Sequence, residues 1–323
     1  MNSIKKMMLS GALGCLISGM AYADGSSPQP VKPYWQDIQV VAVNKEKPRS
    51  SFMSYADRET ALTSRFEKSP YYSLLNGTWK FFFVDSYKDL PQNITDPSVN
   101  TSSWDDITVP GNWEVQGHGV AIYTNHGYEF KPKNPQPPLL PEANPVGVYR
   151  RDIEIPASWD NRDIYLHIGG AKSGLYVYLN GKEVGYSEDS KNPAEFLINK
   201  YLQPGKNVLT LKIFRWSTGS YLECQDFWRM SGIERDVFLW SQPKASIQDF
   251  RVVSTLDDTY TNGIFKLAVD LKNHTQETKN LNVGYELLDA KGNLVASEAN
   301  DIWVSPAAPQ TCLLYTSPSP RDA

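Results

Sequence analysis

The segment from Arg215 to Val237 concentrates groups able to handle a polyhydroxylated ligand. Trp216, Tyr221, Phe227 and Trp228 are interleaved there with Arg215, Arg229 and Arg235 and with the acids Glu223, Asp226, Glu234 and Asp236. Sugar recognition uses this mixture. Aromatic faces stack on the apolar C–H side of a pyranose, while carboxylates and amides bond its hydroxyls. A structural network of ion pairs and core tryptophans would use the same residues. That second reading is favoured for Arg235, Asp236 and Trp228, and the two stand level for Asp226. Another polar group, Gly111-Asn112-Trp113-Glu114, is followed by Ile122-Tyr123-Thr124-Asn125. An Asn side chain offers a donor and an acceptor together, which suits a vicinal diol. On spacing alone these asparagines read rather as Asx-turns closing strands.

Other chemistries find no support. There is no Gly-rich phosphate loop leading into a helix, no H-E-x-x-H, no C-x-x-C and no G-x-S-x-G. The four histidines, His118, His126, His167 and His274, lack the spacing of metal ligands.

The elements that must carry these groups are strands. Tyr149, Arg151, Ile153 and Ile155 share one face of an alternating run, and Ile164, Leu166 and Ile168 share another. Leu175–Leu179 and Lys182–Tyr186 flank Asn180-Gly181, a strong two-residue hairpin signal. Runs at 79–84, 207–216 and 235–240 alternate likewise, and only Arg58–Leu75 suggests a short helix or two. Lys131–Pro145 holds six prolines in fifteen residues and reads as a stiff surface loop. The chain is therefore read as all-β. A jelly-roll, galactose-binding-like β-sandwich over 51–243 is followed by an incomplete immunoglobulin- or fibronectin-like sandwich over 244–310. An extended arm at 24–50 precedes them. Residues 311–323 show no strand period and read as a non-native tail.

The whole chain has 323 residues, with 32 Lys+Arg against 36 Asp+Glu. Clustered Lys/Arg is absent, so a nucleic-acid partner is not expected. Met1–Ala23 reads as a secretory signal. Lys5-Lys6 is its basic start, Met7–Met20 its short apolar stretch and Ala21-Tyr22-Ala23 its cleavage site. Cys15 raises lipidation as a second possibility. The mature chain is expected in the periplasm, with no membrane segment after cleavage. Cys224 and Cys312 make no disulfide framework, and Cys224 reads as an unpaired thiol.

With these residues in view, the chain resembles the long bacterial β-galactosidases of glycoside hydrolase family 2. The resemblance rests on Leu75–Phe81, Val109–Trp113, Ile122–Asn125, Asn144–Gly147, Asn180-Gly181, Val184–Tyr186, Asp189-Ser190, Glu195-Phe196 and above all Arg215–Val237. It covers roughly residues 50–245. It implies a jelly-roll sugar-binding domain, a fibronectin-like domain and then a (β/α)₈ barrel holding the catalytic carboxylates. It also implies that Asn125 hydrogen-bonds the galactose ring, and that Asp226 contacts a galactosyl hydroxyl and ligates Na⁺. A barrel takes about 250 residues, and nothing after Pro243 forms one. No catalytic acid, base or nucleophile is therefore nominated, and the chain alone is expected to be inactive. Any Mg²⁺ site would lie in the absent catalytic part. Cys224 and Thr218 depart from the family pattern and soften the local charge. The expected partner is a β-galactoside, and the full-length product is expected to be a homo-oligomer. The alternatives are a stand-alone lectin-like module, a β-glucuronidase or β-mannosidase of the same family, or a subunit completing a separately encoded barrel.

Overall fold

The computed structural model describes residues 32–130, 134–306 and 310–315. Every element below lies within Pro33–Ala323. The segment read as a secretory signal, with Cys15, lies outside the described residues. So do Lys131–Lys133 of the proline-rich loop. Among the described residues no helix is long and apolar enough to cross a membrane.

Two sheets form the first sandwich. The larger runs, in spatial order, through Ala42–Val43, Lys182–Ser187, Gly174–Leu179, Lys206–Phe214, Val146–Glu154, Gly77–Val84 and Asp105–Val109. The smaller is Ala194–Leu197, Arg162–Ile168, Val237–Pro243 and Tyr72–Leu74. Alternation decides what lies between them. Trp79, Phe81, Tyr149, Ile153, Leu209 and Leu211 of the larger sheet meet Ile164, Leu166, Ile168, Phe196, Val237 and Leu239 of the smaller in one buried cluster. The intervening residues Val146, Val148, Tyr176 and Phe214 face the other way and are covered by Trp35, Ile94 and Trp104. The larger sheet is thus buried on both faces. The chain before residue 50 does more than extend, since its Trp35 stacks on Phe214 with centroids 4.9 Å apart.

The hairpin signal holds in detail. Leu179 pairs with Lys182, and Asn180 and Gly181 both take positive φ, at 53° and 77°. That is the backbone a two-residue type I′ connection demands. The helical expectation holds only in part. A single α-helix, Arg58–Leu62, is capped by Asp57 Oδ1 accepting from the Thr60 amide at 2.7 Å. The same stretch then yields a 3₁₀ turn at Phe66–Lys68 and the strand Tyr72–Leu74.

The second set of strands is smaller. Ala245–Leu256, Gly263–Asn273 and Gln310–Tyr315 form one sheet, and Lys279–Leu288 with Leu294–Val304 form another. Leu267, Val269, Leu271, Val283, Val304, Cys312 and Leu314 fill the space between them. The strand at Gln310–Tyr315 is a finding the sequence reading did not anticipate. Cys312 and Leu314 point into the core while Leu313 stays 53% exposed. An exposed leucine between two buried residues hides a period-two pattern in so short a run. Cys224 and Cys312 are both free thiols.

The two sandwiches meet at a buried charge group. Asp163 on Arg162–Ile168 accepts from Lys272 Nζ at 3.1 Å and is bonded to His274 Nδ1 at 2.7 Å.

Candidate functional site

A small two-stranded ribbon carries the residues singled out in the sequence. Ile122–Thr124 pairs antiparallel with Phe227–Arg229, with Thr124 opposite Phe227 and Tyr123 opposite Trp228. The pairing ends at Thr124 and Phe227, so Asn125 and Asp226 are the residues that adjoin its last pair. Two residues a hundred positions apart in the chain are thereby brought together at the ribbon's end. Asp226 Oδ1 accepts the Tyr123 hydroxyl at 2.7 Å. That bond, with the nearby negative charge, raises the Tyr123 phenol above its ordinary value. Asn125 Oδ1 lies 2.7 Å from His126 Nδ1.

The ribbon presents aromatic surface to solvent. Tyr123 is 55% exposed, Phe227 55% and Trp228 49%. Trp228 packs edge-on against Tyr123, with centroids 5.6 Å apart. The structural reading favoured for Trp228 is therefore corrected. It is a half-exposed ring, because both Phe227 and Trp228 face outward from a ribbon too narrow to cover either. For Arg235 and Asp236 the structural reading fits. Arg235 Nη1 donates to Lys191 O at 2.8 Å, and Asp236 Oδ1 accepts from Asn76 Nδ2 at 2.8 Å. Asn112 forms a long-range link in place of a local turn, its Nδ2 donating to Ser231 O at 3.2 Å.

Buried arginines hold the ribbon from behind. Arg215 Nη2 donates to Val120 O at 2.9 Å and to Arg229 O at 3.1 Å, so one guanidinium ties the strand Phe227–Arg229 to the chain just before Ile122. Arg229 in turn donates to Glu223 O at 2.7 Å and to Gln225 O, which fixes the turn just before Asp226. Glu223 accepts from the Ser190 amide at 2.9 Å and from its hydroxyl at 2.6 Å. On the other strand, the chain leaving Asn125 reaches Glu129, paired at 3.2 Å with Lys172, their side chains 5% and 6% exposed. The proline-rich loop is pinned beside this frame. Asn144 Nδ2 donates to Trp216 O at 2.8 Å, its Oδ1 accepts from the Trp216 amide at 3.0 Å, and Tyr221 donates to Leu139 O. Burial pushes the Cys224 thiol up, which leaves it a poor nucleophile.

Sequence reasoning named Asn125, Asp226 and several residues around them, but not the contacts that join them. Tyr123, Glu129, Lys172 and the link Arg215 makes between Val120 and Arg229 depend on contacts between distant segments. The one local hint was a lone acid, Glu129, between Tyr128 and Phe130. Among the described residues no group of three or more His, Cys, Asp or Glu side chains could hold a metal ion. Asp226 offers a single carboxylate whose second oxygen is not the one engaged by Tyr123.

Residues 72–243 match the family described as "Glycosyl hydrolases family 2, sugar binding domain". A β-galactosidase of Priestia megaterium is 39% identical over 267 residues, covering 81% of this chain and 26% of that protein. A β-galactosidase of Psychromonas ingrahamii is 36% identical over 257 residues, covering 80% and 24%. The chain thus spans about a quarter of the length of these curated relatives. Among solved structures, Bacteroides uniformis β-glucuronidase superposes with a TM-score of 0.62 at 19% identity, covering 77% of this chain and 28% of that one. At that identity the likeness is one of fold.

Proposed function

The chain belongs to glycoside hydrolase family 2, its sugar-binding domain spanning residues 72–243, and on that premise we propose that it is the N-terminal part of a β-galactosidase. The complete product would hydrolyse terminal β-D-galactosides with retention of configuration. The pair of carboxylates that retaining hydrolysis requires would come from the part of the protein beyond this chain. The observation that supports the reading is the ribbon, whose last pair, Thr124 with Phe227, is flanked by Asn125 and Asp226 beside solvent-facing Tyr123, Phe227 and Trp228. In it an amide and a carboxylate can address neighbouring hydroxyls while a ring face meets the sugar's apolar side.

The β-galactosidase names of relatives at 36–39% identity favour a galactoside. A charge argument does so as well. The Asp226 carboxylate accepts from a neutral hydroxyl but repels the carboxylate of a uronic acid. Asp226 would also give one carboxylate oxygen to a sodium ion, with the remaining ligands supplied by the sugar and by the rest of the protein. Such an ion supplies a fixed positive charge that orients a hydroxyl. Export through residues 1–23 to the periplasm and assembly into a homo-oligomer belong to the same proposal.

The test compares galactoside and glucuronide hydrolysis by the full-length product and its Asp226→Asn variant. A hydrogen bond to a charged group contributes about 1.5–3 kcal/mol, so kcat/KM for the galactoside is expected to fall about ten- to a hundredfold. Equal activity of the variant, or a preference for the glucuronide, overturns the assignment.

A further inference from the structure

Behind the ribbon lies a group of buried polar atoms that the sugar-binding reading does not use. The Glu114 side chain is fully buried. Its Oε2 accepts from the Ser231 amide at 2.8 Å, while its Oε1 has no hydrogen-bond partner among the described residues. Arg215 Nη1 is the nearest cationic group, at 3.7 Å, too far for a direct bond. The indole N–H of Trp113 faces the same carboxylate without forming a direct bond of good geometry. Arg215 Nε, the Tyr149 hydroxyl and the Ser231 hydroxyl are likewise buried and unpartnered among the described residues. Two glycines border these atoms. A Cβ at Gly232, whose φ is +119°, would come within 3.0 Å of the Tyr149 hydroxyl. One at Gly119 would lie 3.8 Å from both Trp113 Nε1 and Arg215 Nη1.

We propose that Glu114, Trp113, Tyr149, Arg215 and Ser231 enclose a binding site for ordered water, which bridges Glu114 to Arg215 and so braces the Asn125–Asp226 ribbon. The donor set identifies the ligand class. A cation is opposed by the guanidinium and by the buried Trp113 and Arg215 N–H donors, which have no acceptor among the described residues. An anion is opposed by Glu114. A small neutral molecule able to donate and accept suits both kinds of partner, and because one buried water makes about three such bonds, more than one water is needed to reach every atom. The site reaches the ribbon through Arg215, whose other nitrogen holds Val120 O and Arg229 O. Glu114 and Arg215 are thus positioning residues, whatever ligand Asp226 takes.

The experiment is water-selective NMR on the 323-residue chain, in the rotating frame so that dipolar and exchange peaks separate. The Trp113 indole proton is expected to show a dipolar cross-peak to long-lived water. Trp79, Trp159 and Trp240 are the controls, because their indoles donate to Leu75 O at 2.8 Å, Pro70 O at 2.9 Å and Glu195 Oε1 at 3.0 Å. They should show none. A Trp113 indole as silent as the controls overturns the proposal. Ser231→Ala should keep the peak, and its loss there would mean relay through the hydroxyl and refute the water. Glu114→Gln should keep both the peak and slow amide exchange in Ile122–Thr124 and Phe227–Arg229. Glu114→Leu should lose the peak and speed that exchange about tenfold or more, and unchanged exchange in it refutes the brace. Should Glu114→Leu not fold, the unmodified chain and Glu114→Gln still decide the question.

Discussion

Replacing Lys172 with Met would expose how the frame holds Asn125. Lys172 and Glu129 are paired at 3.2 Å with side chains only 6% and 5% exposed, so solvent screens the pair little. The other carboxylate oxygen of Glu129, Oε2, has no partner among the described residues. Lys172→Met therefore strands a buried carboxylate. At an effective dielectric of about 20, charges 3.2 Å apart attract by about 5 kcal/mol. Breaking one partner of a buried pair costs about 3–5 kcal/mol. For a domain of this size that is a fall in Tm of roughly 6–20 °C. The Glu129 carboxylate is then left without its cation, and the segment after Asn125 is expected to loosen with it. Urea denaturation and hydrogen exchange over residues 125–130 read the two effects together. Glu129→Leu added to Lys172→Met removes the stranded charge, and most of the lost stability should return. A loss below about 1 kcal/mol with unchanged exchange would refute the reasoning, as would a double variant less stable than the single one.

Two further outcomes follow from titratable groups. Burial pushes the Asp163 carboxyl up, but the His274 hydrogen bond and the Lys272 charge together carry it below its ordinary value. Because the folded form binds its proton more weakly, this contribution to stability is fully present above about pH 4 and fades as pH falls through the folded value. Urea titrations between pH 3 and 6 should show Asp163→Asn less stable than the parent at pH 6 and the gap narrowing toward pH 3; a constant gap contradicts the assignment. At the ribbon, the Tyr123 phenol is raised first by its bond to Asp226. In Asp226→Asn the Tyr123 ring carbon, followed by NMR, should titrate closer to 10. No change would show that the bond between them does not form in solution.

How legible these features were follows from the distance over which each is determined. The Asn180-Gly181 hairpin was legible because positive φ at two adjacent positions is a local demand. The inward set of Tyr149 and Ile153 was legible because alternation is local too. Arg58–Leu75 was less so. Its polar first half makes a capped helix, but Tyr72–Leu74 is drawn into the sheet by pairing with Phe238–Trp240, far along the chain. Trp228 misled for a related reason. A tryptophan reads as core unless the width of its sheet is known, and a two-stranded ribbon has no second layer over it. The juxtaposition of Asn125 with Asp226 came from family resemblance alone, since no spacing rule spans that separation. The register brings side by side the two segments that carry them, with Thr124 paired to Phe227.

That register also explains why the charge lies where it does. A two-stranded ribbon is marginal by itself in water, and this one spends its aromatic residues on the outer surface instead of a core. Its stability must come from behind, and what lies behind is polar. The guanidinium of Arg215 bonds the Arg229 carbonyl on one strand and the Val120 carbonyl just before the other, and Arg229 fixes the turn before Asp226. A guanidinium suits this task because its planar fork bonds several carbonyl oxygens at fixed angles while its charge cannot be titrated away. An apolar plug could fill the same volume but would leave those carbonyls unpaired. The cost is a buried positive charge, and Glu114 is the acid that faces it. The exposed aromatics, the ribbon and the buried acid–base pair thus form a single design, in which outward-facing rings are made possible by charge placed inward.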